Sequence, residues 1–217
     1  IEEGNINDNS VSIEEGTLTM DGGTLTVADL ILNANADAFI INDGAQVFQN
    51  NNNVEATFNK NIRTPKSWGT SKYDGWQFIA SPIVNANVID FIPMTDTDYD
   101  LFKYDGTKEL QWINYKGHFN EFEKIFQLGT AYLASYEAET STSFSGLLNN
   151  ASSFDFDVTY YGEDSWANFH LLGNPFPFNM DWNKVTLENV YDGYAIVNPS
   201  DGSYMTYTKS ENEGIIA

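Results

Sequence analysis

Alternating aspartates in one short segment have the spacing of a metal-binding loop. The segment reads Asp96-Thr97-Asp98-Tyr99-Asp100 and places three carboxylates at alternate positions. Carboxylate oxygens are the hard ligands that Ca²⁺ prefers, so Asp96, Asp98 and Asp100 form a candidate calcium site. The EF-hand pattern is not met, because no Gly stands at position six and position twelve is Thr107. A solvated acidic loop ahead of a strand is the favoured alternative.

Tryptophans outside the predicted strand centres could bind sugars. Trp68, Trp112, Trp166 and Trp182 fall in loops or at strand edges, where an exposed ring can stack against the apolar face of a sugar. Trp76 is assigned to the core instead. Packing in the core or between domains is the competing interpretation for the other four, so the sequence makes them candidates for a glycan platform and no more.

No recognisable catalytic constellation accompanies these residues. His118 lies in a predicted loop and His170 in a predicted strand, and the chain has no Gly-x-Ser-x-Gly, His-Glu-x-x-His or phosphate-loop pattern. With 31 acidic residues, carboxylate pairs such as Asp155 and Asp157 arise by chance. Arg63 is the only arginine, which disfavours a lyase. The sequence therefore predicts no enzyme, and no cofactor beyond possible calcium.

Composition limits the class of partner. The 217 residues carry a net charge of −21, which repels nucleic-acid phosphates and anionic membranes. There is no cysteine, so disulfides and thiolate metal sites are absent. No apolar run approaches the roughly 20 residues of a membrane-spanning helix. We expect no nucleic-acid binding and no membrane insertion.

The N-terminal residues 1–53 repeat short patterns. Ile1-Glu2-Glu3-Gly4 recurs at Ile13-Glu14-Glu15-Gly16, and Thr17–Met20 resembles Thr24–Val27 across the turn signal Asp21-Gly22-Gly23. Short strands with a near-repeat period predict β-helix or solenoid-like rungs. An antiparallel meander is the alternative.

Residues 54–217 are predicted to form a β-sandwich of jelly-roll type. The polar run Gln49–Asn53 marks the boundary between the two regions. Turn residues then separate nine strand-like runs, which is typical of a sandwich. These runs are Trp76–Ala80, Asp100–Tyr104, Leu110–Tyr115, Ala131–Tyr136, Thr142–Leu148, Phe154–Tyr161, Phe169–Leu172, Tyr191–Val197 and Tyr204–Thr208.

One phrase within this region occurs twice. Gly75–Ile83 and Asn168–Phe176 each run from an apolar strand into a small residue, a polar residue, Pro and an apolar residue. Each is followed by an Asp-Gly turn, at residues 105–106 and 201–202. We predict an internal duplication, with copies at about 68–160 and 161–217 and the second copy incomplete. Trp76 and Phe169 are then expected in core strands.

The part of the chain from Trp68 onward resembles modules near the C-termini of large secreted surface proteins of the Bacteroidetes. The motifs that carry the resemblance are Gly75–Pro82, Tyr99–Tyr104, Trp112–Tyr115, Gly129–Leu133, Phe144–Leu148 and Gly173–Phe176. The resemblance implies export and attachment to the bacterial cell surface, at the outer membrane, by a C-terminal sorting domain. It also implies neighbouring domains in a longer chain, with β-helical or Ig-like regions preceding the module.

These observations predict a non-enzymatic surface or secreted module for adhesion or structural spacing, with an extracellular glycan or protein as partner. The alternative is an accessory carbohydrate-binding module of a polysaccharide-processing protein. An exposed row of two or three Trp or Tyr on a flat sheet face would favour the alternative. Aromatic residues that are all buried would favour the spacer or adhesin.

Overall fold

The computed structural model describes residues 4–51, 53–62, 76–92, 99–118, 120–162, 168–197, 203–208 and 215–216. In these residues the strands are β1 (Asn5–Met20), β2 (Thr24–Ile41), β3 (Gln46–Phe48), β4 (Glu55–Ile62), β5 (Gln77–Ile79), β6 (Ile83–Val84), β7 (Tyr99–Tyr104), β8 (Trp112–Asn114), β9 (Tyr132–Tyr136), β10 (Thr140–Leu148), β11 (Met180–Asp181), β12 (Tyr194–Val197), β13 (Tyr204–Tyr207) and β14 (Ile215–Ile216). The helices are α1 (Val88–Phe91) and 3₁₀ turns at Tyr115–Gly117 and Trp182–Lys184. The prediction of an all-β protein is confirmed.

The strands form two larger sheets and two small ones. A six-stranded sheet has the order β1-β2-β4-β10-β6, with β3 paired to β2. A four-stranded sheet has the order β5-β9-β7-β8. The pairs β11-β14 and β12-β13 are two-stranded.

The first two strands are long, parallel and curled. Asn5 lies opposite Thr24 and Met20 opposite Ile41. Three residues join Met20 to Thr24, so these two Cα atoms are at most about 14 Å apart. A straight strand of this length would separate its ends by about 50 Å. β1 therefore bends back toward its own start, and the parallel pairing excludes an antiparallel meander between β1 and β2.

The connection between β1 and β2 explains why position 23 is a glycine. Gly23 has φ +70, and a Cβ there would overlap the backbone of Gly4. The Thr24 N–H donates to the Gly4 carbonyl over 3.1 Å. One turn of chain thus rests directly on the previous one, and only a residue without a side chain fits the contact.

Polar side chains from successive turns of the chain also form hydrogen bonds with one another. The Asn42 amide donates to the Asp21 carboxylate, and the Asn59 amide donates to the Asn42 oxygen over 2.7 Å. β2 also pairs with β4 in parallel, Ile40 opposite Thr57. The ladder therefore continues across the polar run at 49–53, so one sheet joins the residues on either side of it.

A shared aromatic core joins the two larger sheets. The Phe126 ring meets Phe91, Tyr132 and Phe144 edge-on, at centroid distances of 5.2, 4.9 and 5.0 Å. Tyr132 belongs to the four-stranded sheet and Phe144 to the six-stranded one. All four rings are fully buried, so Phe126 fixes how the sheets face each other.

Two of the runs predicted as strands do not form ladders. The rings of Phe154 and Phe156 pack where a Cβ of Gly129 would lie, so this segment is held by side chains and not by strand pairing. Phe169, expected in a core strand, is 65% exposed. Leu172, three residues further along the chain, forms an isolated β-bridge with Thr130.

The two copies of the repeated phrase share one local turn. The Ile83 N–H donates to Ser81 Oγ over 3.1 Å, and the Phe176 N–H donates to Asn174 Oδ1 over 3.0 Å. In both, the residue before Pro closes a turn onto the residue after it. The predicted turn chemistry is therefore present in both copies, although their strands differ.

Asn149 connects the two turns. Its backbone N–H donates to the Pro82 carbonyl over 2.9 Å, and its side-chain Nδ2 donates to the Pro175 carbonyl over 2.6 Å. Asn149 is 6% exposed, so both bonds are shielded from water. The carbonyl groups of the two matching prolines therefore accept hydrogen bonds from the same buried residue, Asn149.

Candidate functional site

The four-stranded sheet has one buried face and one partly exposed face. Along β7, Tyr99 and Leu101 are buried while Phe102 and Tyr104 are partly exposed, as the two-residue period of a strand requires. Antiparallel pairing sets Tyr104 opposite Trp112. Residues directly opposite share a face, so the partly exposed face collects aromatic side chains.

Ring contacts join these side chains into two groups on the same face of the sheet. The ring centroids of Tyr104 and Trp112 are 5.2 Å apart, and those of Trp76 and Phe102 are 5.7 Å apart, both edge to face. Phe78 lies 6.4 Å from Trp112 and is 36% exposed. We call these five residues, Trp76, Phe78, Phe102, Tyr104 and Trp112, the aromatic face. Edge-to-face contacts of this kind contribute about 0.5–1.5 kcal/mol each beyond the area they bury.

The Tyr104 hydroxyl adds a polar group to the aromatic face. Burial, followed by the nearby Tyr204 and Asp105, raises the pKa of Tyr104 above its ordinary value. The hydroxyl is therefore protonated at neutral pH and can donate a hydrogen bond.

A polar cluster adjoins the aromatic face. Asp100 lies two residues before Phe102 on β7 and so shares its side of the sheet. The Asn114 amide donates to Asp100 Oδ1 over 2.8 Å, and the Lys116 ammonium lies 2.9 Å from the same oxygen. The three side chains together present a carboxylate, an amide and an ammonium beside aromatic rings.

Trp112 also lines a charged groove. Its volume is about 240 Å³, and Lys108, Glu109, His118 and Glu121 contribute its ionisable groups. His118 Nδ1 lies 3.0 Å from a Glu121 oxygen. The hydrogen bond with His118, aided by the charges of His118 and Lys108, holds the pKa of Glu121 below its ordinary value. The Glu121 carboxylate is therefore ionised and can accept hydrogen bonds at neutral pH.

Of the four tryptophans named as a glycan platform, the structure describes Trp112 and Trp182. Trp112 lies at the centre of the aromatic face. Trp182 is 8% exposed, with its ring 4.9 Å from that of Tyr194, so it packs as a core residue and is not available to a ligand. Trp68 and Trp166 fall outside the described residues.

The proposed calcium ligands are only partly visible. Asp100 is bound to Asn114 and Lys116, whereas Asp96 and Asp98 lie outside the described residues. Within the part of the chain that the structure describes, no group of three or more His, Cys, Asp or Glu side chains could hold a metal ion. None of the described helices is long and apolar enough to cross a membrane.

Sequence reasoning missed most of the aromatic face. Trp76 is assigned above to the core, yet it is partly exposed and contacts Phe102. Phe78 and Tyr104 are not named as candidates at all. The sequence could have indicated this face, because the Asp-Gly turn connects β7 to β8 in a hairpin. In that hairpin Tyr104 lies opposite Trp112.

Comparison with known proteins identifies a family and no activity. The family model described as a domain of unknown function (DUF8693) matches residues 2–214, so the chain belongs to that family. No curated protein and no solved structure matches the sequence.

Proposed function

We propose that this DUF8693 domain is a non-enzymatic adhesion module, secreted or held at a bacterial cell surface, that binds an extracellular partner through the aromatic face. The observation that carries the proposal is the partly exposed set of rings around Trp112, fixed by mutual contacts on a sheet. Contiguous apolar surface in contact with water commonly marks a binding site.

The extracellular location is supported by sequence features. Residues from Trp68 onward resemble surface modules of the Bacteroidetes, as described above. The net charge of −21 disfavours nucleic acids and anionic membranes as partners. Together these favour a glycan or a protein outside the cell.

Structural spacing is a second role, favoured by the parallel ladder. Asn5 pairs with Thr24, and Thr24 pairs with Gln46, so the chain returns to the same place after 19 and then 22 residues. We propose that this region forms β-helix rungs, each adding about 4.8 Å of length. The two larger sheets around the Phe126 core support a β-sandwich for the remainder, of the jelly-roll type proposed from the sequence.

Adhesion is tested by binding of the full chain to immobilised partners. The panel holds neutral and anionic glycans together with collagen, fibronectin and laminin, each with and without calcium. A variant carrying Phe78→Ala and Trp112→Ala is compared with Tyr191→Ala, whose side chain is 99% exposed and lies outside the aromatic face.

We expect at least one panel member to bind, the double variant to lose that binding and Tyr191→Ala to keep it. The proposal is refuted if nothing binds, or if the double variant binds as the natural sequence does. Loss of binding on calcium removal would support the site proposed at Asp96, Asp98 and Asp100.

A further inference from the structure

We propose that the aromatic face binds a neutral pyranose glycan, with one sugar ring stacked on Trp112 and its hydroxyl groups held by the polar cluster around Asp100. The inference rests on the proposed function, since it names the ligand of the same surface. It commits to a saccharide and not to a protein.

The first argument is the chemical match between the surface and a sugar. A pyranose presents C–H groups on its ring faces and hydroxyl groups around its rim. The indole of Trp112 offers an apolar face, which favours contact with such C–H groups. Sugar hydroxyls both donate and accept, so they need partners of both kinds. Asp100 accepts, Lys116 donates and Asn114 does both.

The second argument is distance. Asn114 and Trp112 are two residues apart on β8, so their side chains leave the same face about 7 Å apart. Hydroxyl groups of a sugar over the indole would then point toward Asn114 and the carboxylate it binds. The Asp100 cluster is already joined by contacts of 2.8 and 2.9 Å, so ligand binding need not order it.

The third argument is the groove that continues from Trp112. Its volume of about 240 Å³ is less than the roughly 300–1,000 Å³ of pockets that enclose drug-sized ligands. A single further sugar unit suits this space. Lys108 supplies donors there, and the ionised Glu121 supplies an acceptor.

Charge and hydration decide against other ligands. The protein carries a net charge of −21, so uronate or sulfated glycans would be repelled. A protein partner with an apolar surface would bury the Asp100–Lys116 ion pair, at a desolvation cost. A saccharide keeps these groups hydrogen-bonded and accommodates bridging water.

The test is titration of the full chain with defined oligosaccharides, followed by calorimetry and tryptophan fluorescence. Neutral probes are cellotetraose, xylotetraose and mannotetraose, and anionic probes are tetragalacturonate and a heparin-derived tetrasaccharide. We expect saturable binding to at least one neutral probe, and affinity for the anionic probes at least tenfold weaker at low ionic strength.

Variants then connect the binding to the site. Trp112→Ala is expected to lower affinity at least tenfold, Asn114→Ala to lower it severalfold, and Tyr191→Ala to leave it unchanged. Because Trp112 packs on Tyr104, thermal unfolding checks that each variant folds. Trp112→Phe keeps an aromatic ring there and should retain intermediate affinity even if Trp112→Ala is unstable.

The outcomes separate this inference from the broader proposal. No neutral glycan binding, a preference for anionic glycans, or unchanged affinity in both Trp112 variants overturns the saccharide inference. If collagen, fibronectin or laminin binds through the aromatic face while every glycan is silent, adhesion stands and the saccharide inference fails. If nothing binds, both fail.

Discussion

Replacing Asn149 by Ala should destabilise the protein far more than a surface substitution does. The change deletes the Nδ2 donor to the Pro175 carbonyl at 2.6 Å and the Oδ1 acceptor of the Ala151 N–H at 3.2 Å. The backbone bond to the Pro82 carbonyl, at 2.9 Å, remains. The substitution therefore removes the bond from residue 149 to the second copy of the phrase while keeping its bond to the first.

The magnitude follows from the buried partners left behind. An intramolecular hydrogen bond contributes about 0.5–1.5 kcal/mol net, and a buried group left without a partner costs about 1–3 kcal/mol. Because Asn149 is 6% exposed, water cannot readily replace the lost donor. We expect a loss of about 2–3 kcal/mol in the free energy of unfolding. For a chain of this size that corresponds to a fall of about 5–10 °C in Tm.

Urea unfolding, followed by circular dichroism and by tryptophan fluorescence, measures the loss. Asn150→Ala is the matched control, because Asn150 Nδ2 donates over 3.3 Å to the Asn50 carbonyl at an exposed position. The control should change stability by less than about 0.5 kcal/mol. Asn149→Asp keeps the acceptor but loses the donor, and should cost at least as much as Ala at pH 7. Equal stability of Asn149→Ala and Asn150→Ala would refute the reasoning.

Three further substitutions examine the core and the turns. Gly129 has φ +76, and a Cβ there would overlap the Phe154 ring, so we expect Gly129→Ala to lower the free energy of unfolding in urea by about 1–3 kcal/mol. Gly117→Ala is the control and should be nearly neutral, because a Cβ at Gly117 would meet nothing within 4 Å. Phe126→Ala should cost about 3–5 kcal/mol by calorimetry, and a smaller loss would mean that the sheets do not meet there. Burial raises the pKa of Tyr132 to about 12. The contribution of the Tyr132 hydroxyl to stability is therefore complete below the pKa of tyrosine in the unfolded chain, about 10. It is lost as the pH rises toward 12. Tyr132→Phe should flatten that alkaline loss in unfolding measured between pH 9 and 12, and an unchanged slope would contradict the assignment.

Strands with a partner close in sequence could be predicted well. The run predicted at 100–104 is observed at Tyr99–Tyr104, and that at 110–115 is observed at Trp112–Asn114. Alternation of apolar and polar residues sets the faces, and the Asp-Gly turn sets the hairpin between β7 and β8. The Tyr104–Trp112 pair at the centre of the aromatic face follows from this local information.

Alternation also predicted a strand where no strand pairing forms. Phe154–Tyr161 alternates as a strand does, but the rings of Phe154 and Phe156 lie against Gly129 and no ladder forms in that segment. The alternation of apolar and polar residues indicates which side chains are buried. It does not show whether another strand is available for pairing. For the same reason Trp182 resembles a surface residue in sequence, although Tyr194 and its neighbours cover it.

The aromatic face also depends on how the repeated phrase is used. In the first copy, Gln77–Ile79 pairs along β9 and thereby aligns Phe78 with Trp112. The second copy contacts the segment next to β9, where the Leu172–Thr130 bridge is its only strand pairing among the described residues.

Phe169, the counterpart of Trp76, consequently lies 65% exposed with no ladder to align it with other rings. The turn of the phrase needs only its own residues and forms twice, whereas a binding face needs a sheet behind it. The described residues provide that sheet for the first copy, so the aromatic face belongs to the first copy alone among them.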